Sequence, residues 1–301
     1  MSLTLKQVRY FLAAAETGQI SHAAMEMNIS QSAVTAAIQQ LEAQLGVTLL
    51  ERTTTGVRPT IEGARFLNHA RNITAAVEDA VRSPLGESGG VTGTLRVATT
   101  YTVAGYFMSR HYTRFRRAYP DITIEMMELP RGEIEKGIVN GWIDIAVMLV
   151  SNLANQDEIE HETLFRSHRR LWLPADHRLL GADRVTLAEV AAEPYVMLTV
   201  DEARVTAGRY WDRAGLEPNV IFATSSVEAV RSLVAAGMGV TILSDMVYRP
   251  WSLEGQRIEL RALDDGVPSM DVGLAWSNAR PLSPATGVFR AFMSVALGGG
   301  G

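Results

Sequence analysis

The sequence predicts an α/β protein in two parts, a helical N-terminal segment followed by a larger domain of alternating strands and helices. Three observations carry this expectation. Before residue 83 the apolar side chains recur at helical spacing. Residues 83–93, Ser83-Pro84-Leu85-Gly86-Glu87-Ser88-Gly89-Gly90-Val91-Thr92-Gly93, hold four glycines, one proline and two serines, too many breakers for a helix or a central strand. Beyond them, short β-branched runs alternate with helical stretches, the pattern of βα units and a mostly parallel sheet.

Composition narrows the function. The 301 residues are 47% hydrophobic and 20% charged, an ordinary globular balance, and are enough for two domains. A net charge of −5 argues against wholesale capture of nucleic acid or anionic membrane, leaving room for a local patch. There are no cysteines, which excludes disulfides, thiolate nucleophiles and Cys-based metal centres. The six histidines, His22, His69, His111, His161, His168 and His177, lack close metal-ligand spacing, so no metal and no cofactor is expected. Gly237-Met238-Gly239 sits at a helix end, where glycines terminate helices, and lacks the layout of a dinucleotide loop. No run reaches ~18 apolar residues, and the start lacks the layout of an export signal. A cytoplasmic protein with no membrane partner is expected. The terminal Gly298–Gly301 carries no side chain that could contribute to a core.

In the first segment Val8, Phe11, Leu12 and Ala15 mark one helix, with Gly18 placed as its C-cap. Ser21 is expected to N-cap a short second helix ending near Met27. Asn28, tolerant of left-handed backbone, turns the chain, and Ser30 caps a third helix. There Val34, Ile38, Leu41 and Leu45 form an apolar stripe, opposite the polar, uncharged Gln31, Ser32, Thr35 and Gln39. Two β-prone arms follow, Leu49 to Thr60 around Gly56, with Arg52, Thr54 and Arg58 on them. Thr60 caps a fourth helix of roughly 23 residues, about 35 Å long. Its apolar positions Ile61, Ala64, Leu67, Ile73, Val77 and Ala80 exceed what so small a domain can cover, which points to a second copy of the same helix.

Helix, tight turn, helix and β arms together read as a winged helix-turn-helix, whose second helix offers its exposed face to the major groove. Amides read adenine edges, hydroxyls contact bases or phosphates, and arginines on a wing approach phosphates. The alternative is that these polar groups only solvate the helix. Residues 1–82 carry seven basic and seven acidic side chains, so one copy alone should bind DNA poorly and dimerisation should matter.

The run Ser21-His22-Ala23-Ala24-Met25-Glu26-Met27-Asn28-Ile29-Ser30-Gln31-Ser32-Ala33-Val34-Thr35 resembles the N-terminal domain of LysR-type transcriptional regulators. Ile38-Gln39-Gln40-Leu41-Glu42, Leu45-Gly46, Leu49-Leu50-Glu51-Arg52 and Thr60-Ile61-Glu62-Gly63 continue the likeness. Ser32 stands where the family usually has proline, Ala36-Ala37 where it has a more polar pair, and Pro59 where leucine is common. The resemblance implies DNA contacts from Ser21, Ser30, Gln31, Ser32, Thr35, Gln39, Arg52, Thr54 and Arg58. It runs on past residue 93 and implies a two-lobed effector-binding domain like a periplasmic binding protein. Strands are expected at Leu95–Thr100, Asp121–Met127 and Trp142–Val147, the last matching the family's Gly-x-x-Asp-x-Ala pattern. The chain crosses near Leu164–Leu173 to a second lobe with strands near Tyr195–Leu198, Val220–Ala223 and Val240–Leu243, and returns around Val272–Trp276.

In such an architecture the ligand lies between lobes, where strand ends and helix N-termini favour an anion. The resemblance implies an effector cleft lined by Thr99, Thr100, Thr102, Pro130, Arg131, Leu198, Thr199, Val200, Thr224, Ser225 and Ser226. Ser226 reads equally as a cap of the helix Val227–Ala236, and Arg131 either as a guanidinium fork for a carboxylate or as a solvent-facing residue. Tyr101 or Phe165 could serve an aromatic ligand.

The expected division is residues 1–59 for the winged helix-turn-helix, 60–83 for a dimerisation helix, 84–93 for a hinge linker and 94–297 for the effector domain. Its first lobe spans about 94–163 and 266–297, its second about 164–265. The expected function is sequence-specific transcriptional regulation controlled by a small organic acid, without enzymatic activity. Double-stranded DNA, the effector and further copies in a homodimer or homotetramer are its partners, with RNA polymerase as a potential one. The competing reading is a two-lobed small-molecule-binding protein whose N-terminal helices only dimerise. Against it stand the missing export signal and the absence of GxSxG, P-loop and metal motifs.

Overall fold

The computed structural model describes residues 3–53, 56–82 and 90–297. Thr54, most of the expected linker and the Gly298–Gly301 tail lie outside these residues. Two compact units result, Met1–Pro84 and Leu85–Gly301.

The first unit opens with α1 (Leu5–Thr17), started by a capping box in which the Thr4 hydroxyl accepts from the Gln7 N–H and the Gln7 side chain from the Thr4 N–H. Gly18 ends it in the left-handed region, as its position suggested. In α2 (Ile20–Glu26) the cap position falls to Gln19 without a side-chain bond. Ser21 is therefore no N-cap: one residue inside the helix, its hydroxyl donates to Gln19 Oε1 at 3.3 Å. Asn28 turns the chain with φ +53°. Ser30 caps α3 (Gln31–Leu45), its hydroxyl accepting the Ala33 N–H at 3.2 Å. Val8, Phe11, Val34, Ile38, Leu41 and Leu49 meet in one core. Leu45 is not part of it. It sits in the last turn before Gly46, 39% exposed.

β1 (Leu50–Thr53) and β2 (Gly56–Pro59) pair antiparallel, with Glu51 opposite Arg58. The Thr60 hydroxyl then accepts the Gly63 N–H at 2.9 Å and starts α4 (Ile61–Arg82), about 33 Å long. Ala70 and Phe66 of this helix close the core, Phe66 edge-on to Phe11 at 5.2 Å, while Ile61 is exposed. The side chain of Ala80 lies outside the described residues.

The second unit begins with β3 (Gly93–Thr99) and a helical run made of α5 (Tyr101–Val103), a π turn at Ala104–Met108 and α6 (Ser109–Ala118). β4 (Ile122–Glu128), α7 (Arg131–Asn140), β5 (Ile145–Leu149) and β6 (Ile159–Ser167) follow. The strand expected at Trp142–Val147 begins only at Ile145. Asp144 is used otherwise, accepting from the Arg96 N–H and from its guanidinium at 2.6–3.1 Å. β7 (Arg169–Pro174), α8 (Leu187–Ala191), β8 (Pro194–Leu198), α9 (Ala203–Ala214), β9 (Asn219–Thr224), α10 (Val227–Ala235), β10 (Thr241–Ser244) and β11 (Ile258–Arg261) build a second lobe. β12 (Met270–Ser277) returns to the first, and α11 (Pro284–Leu297) ends the fold.

The first lobe holds a five-stranded sheet in the order β4-β3-β5-β12-β6. Only β3 with β4 and β5 is parallel there; β12 lies antiparallel to both β5 and β6. In the second lobe β10-β7-β11 is antiparallel, and parallel β8 and β9 join through a bridge from Tyr195 to Val240. The mostly parallel sheet expected from sequence is thus a mixed one. The reason is connectivity: β6 and β7 carry the chain out of one sheet into the other, and β12 brings it back against the original direction.

Strand alternation places a core on each face of the first sheet. Val97 and Val147 meet Phe115 and Phe289, whereas Ala98, Ala146 and Met148 meet Ile134 and Ile138. The second lobe repeats this. Leu171, Tyr195 and Ile242 pack on Trp211, and Trp172, Val196 and Leu243 on Val230 and Val234.

Candidate DNA-contact face and interlobe cleft

Capping and burial orient α3. Val34, Ile38 and Leu41 face the core, so Gln31, Ser32 and Gln39 emerge exposed and Thr35 half-exposed on the other side. The Thr35 hydroxyl donates to the Gln31 carbonyl at 2.9 Å, which holds it against the helix, and the Ser30 and Ser32 hydroxyls lie 3.0 Å apart. Both arginines of the β arms are exposed, and Arg58 is paired to Glu51 at 2.6 Å. Arg52 has no ion-pair partner among the described residues. The result is an uncharged amide and hydroxyl face on one helix, with the exposed Arg52 guanidinium in the same unit.

The cleft in the second unit has a volume of about 330 Å³. Of the residues expected there, Pro130, Arg131, Val200, Ser225 and Ser226 line it, together with Tyr101. Thr102, Leu198 and Val200 border a deeper, smaller cavity of about 30 Å³. The remaining expected residues border neither. Thr99 and Thr100 are buried behind the strand end. Thr224 is taken up locally, its hydroxyl accepting the Ser226 N–H and its carbonyl the Thr199 N–H. Phe165 stacks on Phe107 at 5.3 Å within the first-lobe core. Ser226 does cap α10, its hydroxyl accepting the Ala229 N–H at 3.1 Å.

Arg131 is neither a free fork nor a solvent-facing residue. Its Nη1 donates to Glu135 at 2.9 Å, and its Nε lies 3.3 Å from Glu202 of the second lobe. Burial opposes the guanidinium charge, yet these two carboxylates outweigh it and raise its pKa. Glu202 in turn is pushed up, first by burial and then by Asp201 and Glu135, against the pull of Arg131.

Sequence reasoning missed Glu128, Asp201 and Glu202, which also line the cleft. Asp201 carries the most: its Oδ2 accepts from the Thr102 N–H at 2.7 Å and the Thr102 hydroxyl at 2.5 Å. Both Asp201 and Glu202 have positive φ, +51° and +58°. At Glu202 nothing in the sequence signals this, because the residues that adopt such backbone are glycine, asparagine and aspartate; Asp201 is of a tolerant type, but one loop aspartate does not by itself mark a left-handed turn.

A helix-turn-helix unit with an exposed amide face, followed by a two-lobed domain with a cleft between its sheets, defines a DNA-binding regulator with an effector domain. Comparison with known proteins agrees. Residues 5–64 match the bacterial regulatory helix-turn-helix proteins of the lysR family, and residues 88–297 match the LysR substrate binding domain. The chain belongs to the LysR family and is a LysR-type DNA-binding transcriptional regulator.

Among its relatives is an uncharacterized HTH-type transcriptional regulator of Escherichia coli, YnfL, 32% identical and covering 99% of this chain and all of the relative. AlsR of Bacillus subtilis is 28% identical over 84% of each chain. Among solved structures, a putative LysR family regulator of Pseudomonas aeruginosa superimposes with a TM-score of 0.64 at 26% identity, covering 99% of this chain and all of that one. HinK, a LysR family regulator from the same organism, gives 0.63 at 26% identity, covering 98% and 99%. Among the described residues no helix is long and apolar enough to cross a membrane.

Proposed function

We propose that this regulator reads a specific operator through Gln31, Ser32, Thr35 and Gln39, with Arg52 and Arg58 approaching the phosphate backbone and Ser21, Ser30 and Thr54 as further DNA contacts. The observation that carries this reading is the exposed, uncharged face of α3, which is suited to base edges and useless as a general phosphate magnet. The unit has little net charge to spare, so affinity depends on two copies joined through α4, and a homotetramer spanning an interrupted palindrome is the assembly we favour. Functional boundaries are placed at residues 1–59, 60–83, 84–93 and 94–297. The protein acts in the cytoplasm, has no catalytic role, and is a candidate to contact RNA polymerase.

The effector is received between the lobes, next to Thr102, Pro130, Arg131, Leu198, Val200, Ser225 and Ser226. A small organic acid is the proposed class, supported by the fact that the Thr102 donors already hold a carboxylate. Binding changes the disposition of the lobes and through it the spacing or bend of the bound DNA.

Fluorescence anisotropy tests the reading. The full chain is titrated with its own upstream intergenic DNA and with a scrambled duplex at about 50 and 200 mM salt. A preference of ~10³ or more for the native fragment is expected. Equal, weak binding to both duplexes, unmoved by added organic acids, removes it.

A further inference from the structure

The carboxylate at Thr102 comes from the opposite lobe. Thr102 belongs to the helical run after β3 and is 3% exposed, whereas Asp201 follows β8. A carboxylate accepting a main-chain N–H and a hydroxyl through one oxygen makes two charge-assisted bonds in a water-poor place, stronger than neutral ones. The same residue is gripped a second time: Asn152 of the first lobe donates its side-chain amide to the Asp201 carbonyl at 3.1 Å.

Two consecutive non-glycine residues in the left-handed region are costly, on the order of 1–2 kcal/mol each, and persist only where surrounding contacts impose them. Here those contacts cross between lobes. Asp201 reaches Thr102 and Asn152, and Glu202 reaches Arg131. Another contact, from the Tyr106 hydroxyl to Glu228 at 2.6 Å, crosses the same seam. Beneath Asp201 the chamber it borders is about 30 Å³, room for a water and too small for an organic molecule.

We propose that Asp201 is a tethered stand-in for the effector's acid group: it latches the lobes together in the ligand-free protein, and an acid effector acts by replacing it at Thr102. This rests on the reading that an acid is received between the lobes. The exchange is carboxylate for carboxylate, so the Thr102 donors are satisfied in both states. What changes is whether the anion is attached to the second lobe. Replacement therefore frees the Asp201–Glu202 corner from its strained backbone and uncouples the lobes at that point. Asp201 becomes a specificity-determining residue, because any effector has to outcompete it.

The absence of cysteine allows a clean distance measurement on the full chain. Arg117→Cys on α6 and Asp212→Cys on α9, both at exposed positions, take one spin label per lobe, and pulsed dipolar spectroscopy reads the interlobe distance. With Asp201 intact a narrow distribution is expected. Asp201→Asn and Thr102→Val should each lower the closed-to-open ratio about tenfold, the size of a charge-assisted bond. An unchanged distribution in either variant overturns the latch, since the bond needs both partners.

Asp201→Ala then tests the stand-in. Isothermal titration calorimetry should show acetate, but not chloride at equal ionic strength, binding Asp201→Ala about tenfold more tightly than the intact chain, while the interlobe distribution stays broad because an untethered acid holds no second lobe. No gain in acetate binding, or a gain for ethylammonium instead, overturns the claim that this position receives an acid. Circular dichroism confirms that each variant is folded. DNA anisotropy on the same samples reports separately on the proposed function, so failure of one reading is not mistaken for failure of the other.

Discussion

Glu42 ties the third helix to the β arms: its Oε1 accepts the main-chain N–H groups of both Leu49 and Leu50, at 2.7 and 3.0 Å. The exposed face of α3 and the arm that carries Arg52 thereby move as one body. One side chain satisfies two donors that would otherwise begin a strand unpaired. Glu42→Ala is expected to lower local stability by about 1–3 kcal/mol, and Glu42→Gln by less, because the amide oxygen still accepts. Hydrogen exchange at the Leu49 and Leu50 amides of the full chain reads the loss directly.

Gly63 occupies a second close approach. A Cβ at this position would fall inside van der Waals distance of the Leu49 carbonyl oxygen, and that oxygen belongs to backbone that cannot swing aside. Gly63→Ala should therefore cost about 1–3 kcal/mol and separate the start of α4 from the arm. Loss of exchange protection across residues 5–64, with the second unit unaffected, is the expected pattern.

On DNA, Gln31→Ala and Gln39→Ala should each weaken operator binding about tenfold while leaving scrambled DNA unchanged, as expected for lost base contacts. Arg52→Ala should weaken both and reduce the magnitude of the salt slope by about 1. Arg58→Ala should change the slope less, because Glu51 already offsets that charge at 2.6 Å. Equal effects of the two arginines on the slope would count against the assignment.

The pH dependence of the second unit follows from Glu228. Burial pushes its carboxyl up, but bonds from Arg231 and Tyr106 outweigh burial and hold it below the ordinary 4.5. A depressed carboxyl contributes stability above its unfolded value, and this is lost as pH falls through the folded one. The loss therefore falls below about 4.5, and Glu228→Gln should flatten it in acid unfolding curves. The Tyr106 hydroxyl, pushed up to about 12 mainly by burial, stays a donor throughout this range.

Arg231 anchors the interior of the second lobe. It is 1% exposed, its Nη1 and Nη2 donate to the Arg249 and Val247 carbonyls at 2.7 Å, and it lies over the Trp172 ring. Arg231→Ala should destabilise the second lobe by about 1–3 kcal/mol for each buried carbonyl left without its donor. A shift of the thermal transition of the full chain measures it.

Much of the first unit was legible in sequence because its signals are local. Asn28, Ser30, Gly18 and Thr60 act on their own backbone within four residues, so residue type and spacing were enough. Ser21 misled because hydroxyls cap only from the position before the first turn, and the helix began one residue earlier. In the second unit the strands were legible from β-branched runs, whereas sheet order was not, because pairing joins residues more than a hundred apart, as Ile159 with Ser277.

The cleft divides along the same line. By itself the sequence determined the class of protein, the uncharged helix face and the segments that border the cleft, all properties of short runs of residues. Only the tertiary structure decided which polar groups remain free. Arg131 reads as an open guanidinium until Glu135 and Glu202 are seen on it, and Asp201 reads as a loop carboxylate until it is found on Thr102. The physical reason is that a charge's availability depends on its neighbours in space. Residues 102 and 201 become neighbours only when two lobes, built from separate stretches of chain, are brought together.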